Sequence, residues 1–140
     1  MNVVDINVLL YAVNSRSSRH RQAYDWLTGQ LSGAGTVGFA WTALLGFVRI
    51  ATSPSILPNP MTSTQAFDLI DAWLATPAGV VVEPTVRHRA ILRGLLDTAG
   101  TAGNLTNDAH LAALAVEYGG AVATFDRDFE RFGVRVVIPQ

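Results

Sequence analysis

Short unbroken apolar runs alternate along this chain with stretches whose apolar positions recur every three or four residues. Residues 2–5 read as a buried strand, and 7–14 (NVLLYAVN) as a helix directly behind it. A polar loop with arginines, SRSSRH at 15–20, leads to a helix over 20–32 in which Ala23, Tyr24, Leu27 and Leu31 share one face. TVGFA (36–40) predicts a second strand and WTALLGFVRIATS (41–53) a third helix, followed by the proline-punctuated loop PSILPNP at 54–60. Ser63 or Thr64 can open the next helix, whose Phe67, Ile70, Trp73 and Leu74 make an apolar face and which Pro77 stops. GVVVE (79–83) reads as a third strand, 86–98 as a helix and AGTAGN (99–104) as a glycine-rich loop. The alanine-rich segment TNDAHLAALAVEY (106–118) is a helix closed by Gly119 and Gly120. AVATF (121–125) is a strand, DRDFERF (126–132) a tight turn or short helix, and VRVVI (134–138) a last strand.

Strands alternating with helices predict a three-layer α/β/α domain with a mostly parallel central sheet of about five strands. With no repeat, low-complexity tract or linker, residues 1–140 read as a single domain. In open sheets of this kind ligands bind beyond the carboxyl ends of the strands. Asp5 lies at that end of the first strand, and Asp126 and Asp128 lie just past the end of AVATF. Asp108 falls in the first turn of the helix feeding that strand, so it belongs on the same rim. Each acid alone can be a helix cap or a solvated turn; Asp5, breaking an apolar run, suits an N-cap well. Three or four carboxylates on one rim are harder to explain that way, because like charges repel unless a cation sits among them. Hard oxygen ligands without cysteine or a histidine cluster indicate Mg²⁺ or Mn²⁺.

Composition narrows the chemistry. The chain has 49% hydrophobic and 15% charged residues, enough for a full core, and a net charge of −1 that gives no global attraction to nucleic acid. There is no cysteine, so no disulfide framework, zinc knuckle or thiol nucleophile. All ten basic residues are arginine. Without lysine there is no Schiff-base catalysis, no P-loop amine and no partner amine for a phosphorylated aspartate. No signal-peptide pattern and no long apolar run is present, so a cytoplasmic location without membrane contact is the expectation.

Three pieces of the chain, VVDINVLLYA, WTALLGFVRIATSP and GNLTNDAHLAALAVEYGGAVATFDRDFERF, resemble a PIN-domain ribonuclease of the VapC type, the toxin of a type II toxin–antitoxin pair. The likeness covers essentially the whole chain. It implies a metal-dependent endoribonuclease acting on structured RNA, often tRNA or ribosomal RNA, and leaving 5′-phosphate and 3′-hydroxyl ends. The acids such domains carry match Asp5, Asp108 and Asp126, the implied metal ligands, while Asp128 sits where some members have a further carboxylate. The acid usual on the third helix is replaced by Gly46. The resemblance also implies a homodimer and a small VapB-type antitoxin as partner; the large aromatics of helices 20–32 and 62–76 suit such contacts. The chemistry agrees with the residues, since Mg²⁺ held by Asp5 and Asp108 can acidify a water and polarise a phosphate.

Other polar residues have competing roles. Arg49 is one helical turn from Gly46, hence near the rim, and is the leading candidate for a substrate phosphate. Arg16, in a basic loop with Arg19 and Arg21, is a second candidate against a merely solvated loop. Asn7 and Thr124 can reach substrate or water, or simply bond backbone; Asn104 suits a helix cap. His110 reads as structural, and His20 and His88 as isolated and exposed. Trp26, Trp41 and Trp73 read as core or interface. Two rival functions stay open: a degenerate PIN fold that only binds RNA or protein, which Gly46 keeps alive, and a Mg²⁺-dependent aspartate-nucleophile phosphatase. The phosphatase wants a second aspartate two positions after the first, where Asn7 stands, and an amine. A histidine acid–base ribonuclease finds no convergent pair in this reading.

Overall fold

A computed structural model describes all 140 residues. Five strands, β1 (Asn2–Val4), β2 (Val37–Phe39), β3 (Gly79–Val81), β4 (Ala121–Ala123) and β5 (Val136–Val137), form one sheet in the order β3-β2-β1-β4-β5. Every pairing is parallel, which completes the expected α/β architecture. The helices are α1 (Ile6–Val13), α2 (His20–Leu31), α3 (Trp41–Ala51), α4 (Ser63–Ala75), α5 (His88–Ala99) and α6 (Thr106–Glu117), with 3₁₀ turns at Gly103–Leu105 and Arg127–Phe132. A parallel sheet needs both faces covered. Helices α1–α4 bury Leu9, Leu44, Phe47 and Ile70 on one face. On the other, α5, α6 and the last 3₁₀ turn bury Leu111, Leu114, Phe129 and Phe132.

The strands are shorter than their apolar runs. Residue 5 is not strand, because Asp5 turns its side chain back to accept the Ile6 N–H and becomes the N-cap of α1. At α4 the cap is Thr62, not Ser63 or Thr64: its hydroxyl accepts the Gln65 N–H while the Gln65 side chain accepts the Thr62 N–H. The α6–β4 connection depends on glycine twice. Gly119 adopts a left-handed φ of 65°, and a Cβ on Gly120 would stand 2.1 Å from the Met1 carbonyl oxygen. That close approach lets β4 come directly off α6 and pair with β1. The consequence for function is positional: the ends of β1 and β4 and the start of α6 share one rim.

Trp73 stacks on Phe39 and tilts against Phe47, so it is core. Trp41 is about half exposed, as are Tyr24 and Phe67 on α2 and α4. An apolar groove of about 550 Å³ runs between α1, α2 and α4, lined by Leu27, Leu69 and Trp73 among others and by no carboxylate. No helix is long and apolar enough to cross a membrane.

Candidate active site

The acidic recess opens at the carboxyl ends of the central strands. Its cavity of about 280 Å³ is lined by Asp5 and Ile6, by Thr42, Gly46 and Arg49 of α3, and by Asn104, Asn107 and Asp108. Asp5 is buried, at 5% exposure. One of its oxygens accepts the Ile6 N–H at 2.7 Å and the other accepts the Thr124 hydroxyl at 2.7 Å. Capping and site membership are therefore not alternatives here; the cap orients a carboxylate that faces the recess.

Thr124 ties the two central strand ends together. Its fully buried oxygen accepts from the Asn7 amide at 3.1 Å and from the Asp126 N–H at 2.9 Å while donating to Asp5. Asn7 closes the network, its own oxygen accepting the Phe125 N–H at 3.3 Å. Both residues are thus spent on orienting Asp5 and Asp126. Buried and fully partnered, Thr124 has no surface left for substrate, which corrects the expectation that it touches RNA. Asp126 accepts the Asp128 N–H at 2.8 Å, which holds the turn that carries both acids; Asp128 itself is exposed.

The electrostatics register the crowding. Burial raises the pKa of Asp5, the hydrogen bonds from Thr124 and Ile6 oppose this, and Asp126 pushes it further up, with a net rise. Asp108 is pushed up to about 6 by burial and then by the charges of Asp5, Asp126 and Asp128. None of these carboxylates is ion-paired: the molecule's two ion pairs are His88–Glu117 and Arg127–Glu130. No three acids already converge on one point. A Mg²⁺-like ion keeps several waters, so two direct carboxylates and a water-bridged third are enough. An all-oxygen donor set, uncompensated and partly buried, fits a hard divalent cation.

A family model for the PIN domain matches residues 3–134. Ribonuclease VapC37 of Mycobacterium tuberculosis is 53% identical over 136 residues, covering 96% of this chain and 94% of that protein. The chain belongs to the PIN-domain family, among its VapC-type members. Ribonuclease VapC33 of Mycobacterium tuberculosis is 40% identical over 132 residues, 94% of this chain and 92% of that one. Among solved structures, Mycobacterium tuberculosis VapC20, a sarcin–ricin-loop-cleaving toxin, superposes with a TM-score of 0.72 at 18% identity, covering 99% of this chain and 100% of that one. The Rickettsia felis VapBC2 assembly bound to promoter DNA gives 0.72 at 16% identity, covering 99% and 98%. These two likenesses are of fold. PIN-domain ribonucleases in general depend on a divalent metal.

Within this PIN domain the remaining candidates separate. Arg49 lines the recess, exposed and unpaired, as its helical spacing predicts. Asn104 also lines it. Arg16 does not: it borders a different hollow with Leu57, Pro58 and Asn59. Two further polar side chains line the recess, Asn107 and Thr42. Thr42, Gly46 and Arg49 follow one helical stripe, so extending the turn-by-turn argument one step towards the N-terminus finds Thr42.

His88 is neither isolated nor exposed: its Nδ1 meets the fully buried Glu117 carboxylate and its Nε2 lies 2.9 Å from His110 Nδ1. Glu117 also accepts the Thr85 N–H and hydroxyl, so this chain of side chains pins the segment after β3 to α6. Burial would raise the Glu117 pKa, but the bonds from His88 and Thr85 outweigh it and hold the carboxyl below its ordinary value. Its stabilising contribution is therefore full above pH 4.5 and is lost as pH falls through the lower native pKa. Glu117→Gln should lower the melting temperature by about 5 °C at pH 7. The gap from wild type should narrow in melts below pH 4.5.

Proposed function

We propose that this chain, as one domain over residues 1–140, is a Mg²⁺-dependent endoribonuclease toxin that cleaves structured RNA of the tRNA or ribosomal class. The observation that carries this reading is the shared rim: Asp5 and Asp108 line one recess, Asp126 and Asp128 follow the adjoining strand end, and none of the four is ion-paired. Asp5, Asp108 and Asp126 would hold Mg²⁺, with Mn²⁺ as substitute, and Asp128 would act through water. When bound, the ion supplies the positive charge that polarises a phosphate ester and acidifies an attacking water. Asp126, oriented through Thr124, positions that water. Arg49 binds a non-bridging phosphate oxygen on the β2 side. Water adds at phosphorus, the bond to the 3′-oxygen breaks, and the 3′-oxygen takes a proton, leaving a 5′-phosphate and a 3′-hydroxyl.

Pure protein incubated with total RNA should yield discrete fragments with Mg²⁺ and none with EDTA. Fragments that persist in EDTA, or intact RNA under both conditions, would refute the reading. A cytoplasmic location and a homodimer go with it. A small VapB-type antitoxin that places an arginine among the carboxylates would inhibit by substituting its charge for the metal's.

The alternative of a binding-only PIN fold rests on Gly46. Gly46 lines the recess, yet a Cβ there would stand 2.5 Å from Ile6 Cδ1. The terminal methyl of Ile6 occupies the space into which a third-helix acid would project. Gly46→Glu is then expected to tighten Mn²⁺ in calorimetric titration at little net cost in stability. The atom in the way is the terminal methyl of a partly exposed isoleucine, which can rotate aside, and up to about 1 kcal/mol of helix propensity is regained. Ile6→Val removes that methyl, so the double variant should be at least as stable as Gly46→Glu alone. Unchanged Mn²⁺ affinity in both variants would show that position 46 plays no part in metal binding.

A further inference from the structure

We infer that Arg19 is a second phosphate-binding arginine, set on the opposite flank of the carboxylates from Arg49, so that an RNA strand is gripped on both sides of the scissile bond. The inference rests on the ribonuclease reading above and adds the path of the substrate. Three observations lead to it.

First, Arg19 is anchored to the site. Its guanidinium carbon lies 5.0 Å from the centre of the Phe125 ring and 5.8 Å from that of Tyr11, and the two rings meet edge to face at 5.3 Å. Phe125 stands between Thr124 and Asp126, and its N–H is bonded to Asn7. The arginine therefore rests on the same strand end that carries the orienting threonine and the third acid.

Second, its donors are free. Arg19 forms no ion pair although four carboxylates crowd the nearby rim, and its bond to Ser17 uses the backbone N–H. A guanidinium whose face lies on aromatic rings keeps its N–H edge for a partner, and the stacking restricts its rotamers beforehand. The geometry suits a bidentate phosphate contact. The neighbouring Arg16 has no such support and borders the hollow by Leu57.

Third, the sheet order sets the flanks. β1, which delivers Asp5, lies between β2 and β4. Arg49 comes from the helix after β2, whereas Phe125, the ring on which Arg19 of the α1–α2 loop rests, follows β4. A polynucleotide crossing the recess from one side to the other meets an arginine at each end and the acids between. The ligand is thus a ribonucleotide backbone longer than one phosphate.

The test is fluorescence anisotropy with a labelled single-stranded oligoribonucleotide of about 12 nucleotides, with Ca²⁺ replacing Mg²⁺, over a range of KCl. Arg19→Met keeps the apolar packing and removes the charge; Arg19→Lys keeps the charge and removes the fork; Arg16→Met is the control. Arg19→Met should weaken binding about 5–10-fold and flatten the slope of log affinity against log salt by about 0.7. Arg19→Lys should keep the slope and lose part of the affinity, while Arg16→Met stays within about twofold. Wild-type affinity in Arg19→Met, an equal loss in Arg16→Met, or a loss with unchanged slope would each overturn the assignment. Wild-type cleavage of total RNA is run in parallel. If the wild type neither cleaves nor binds, the ribonuclease reading itself has failed. If it cleaves while Arg19→Met matches it in binding, Arg19 alone was misassigned.

Discussion

Asp108→Asn should lower RNA cleavage by about 10²–10³-fold while leaving the fold intact and raising its melting temperature in EDTA. The two effects have one cause. At neutral pH the native state holds Asp108 ionised against burial and against Asp5, Asp126 and Asp128, which is why its pKa stands at about 6 and not 3.8. Asparagine removes that repulsion together with the charge a cation needs. The gain should be modest, about 1–3 °C, because the residue is only half-buried. The sign of its pH dependence is fixed. A carboxyl whose native pKa is raised costs stability when ionised, and the cost disappears as pH falls through about 6 towards 3.8. The advantage of Asp108→Asn over wild type in metal-free melts should therefore be full at pH 7.5, shrink below pH 6 and vanish near 3.8. Cleavage by the wild type should also fall on acidification, at lower pH as Mg²⁺ is raised, since the ion and protons compete for the carboxylate. Asp5→Asn and Asp126→Asn should also lose cleavage, and asparagine can keep the Asp5 cap. A collapse of stability in all three would mean that these acids are structural caps and nothing more.

The rim of acids was legible in advance because it follows from topology. Once strands alternate with helices, the ends of β1 and β4 and the start of α6 must share one edge, whatever the side chains do. Arg49 was legible for a similar reason, since helical periodicity carries a residue's direction over a turn. What stayed hidden depends on contacts between distant parts of the chain. Nothing local to His88 announces Glu117 and His110, so a buried, bonded side chain read as a free one. In the loop 15–20 the arginines look alike until Phe125 presents a ring to Arg19 and not to Arg16. Gly46 was recognised as a departure, but its occupant, Ile6, became visible only when α1 and α3 were packed together. Strand ends were overextended because an apolar run records burial, which outlasts the ladder of backbone hydrogen bonds. The Asp5 ambiguity dissolved for another reason: one carboxylate has two oxygens with several lone pairs, enough to cap a helix and still face a site.

Thr124→Val carries the second large effect, and it separates orientation from ligation. Valine nearly matches threonine in shape, so the fully buried site should not open a cavity. It leaves the Asn7 amide and the Asp126 N–H without their acceptor and the Asp5 carboxylate without its donor. Stranding such groups costs about 1–3 kcal/mol, which should appear as a clear drop in melting temperature. Activity should fall by about 10–100-fold, the usual range for losing a group that orients a ligand without touching the reacting atoms. A purely structural role predicts the first effect, so a further readout is needed. The Thr124 hydroxyl favours the ionised form of Asp5, partly offsetting the rise that burial imposes. Without it the Asp5 pKa climbs further, and the acid limb of the cleavage–pH profile should move to higher pH. Thr124→Ser keeps the hydroxyl, so it should restore the limb and most of the rate even if lost methyl packing leaves the protein less stable. If Thr124→Val melts early yet cleaves with an unshifted limb, the hydroxyl supports the fold alone, and Asp5 is held in place by its helix cap.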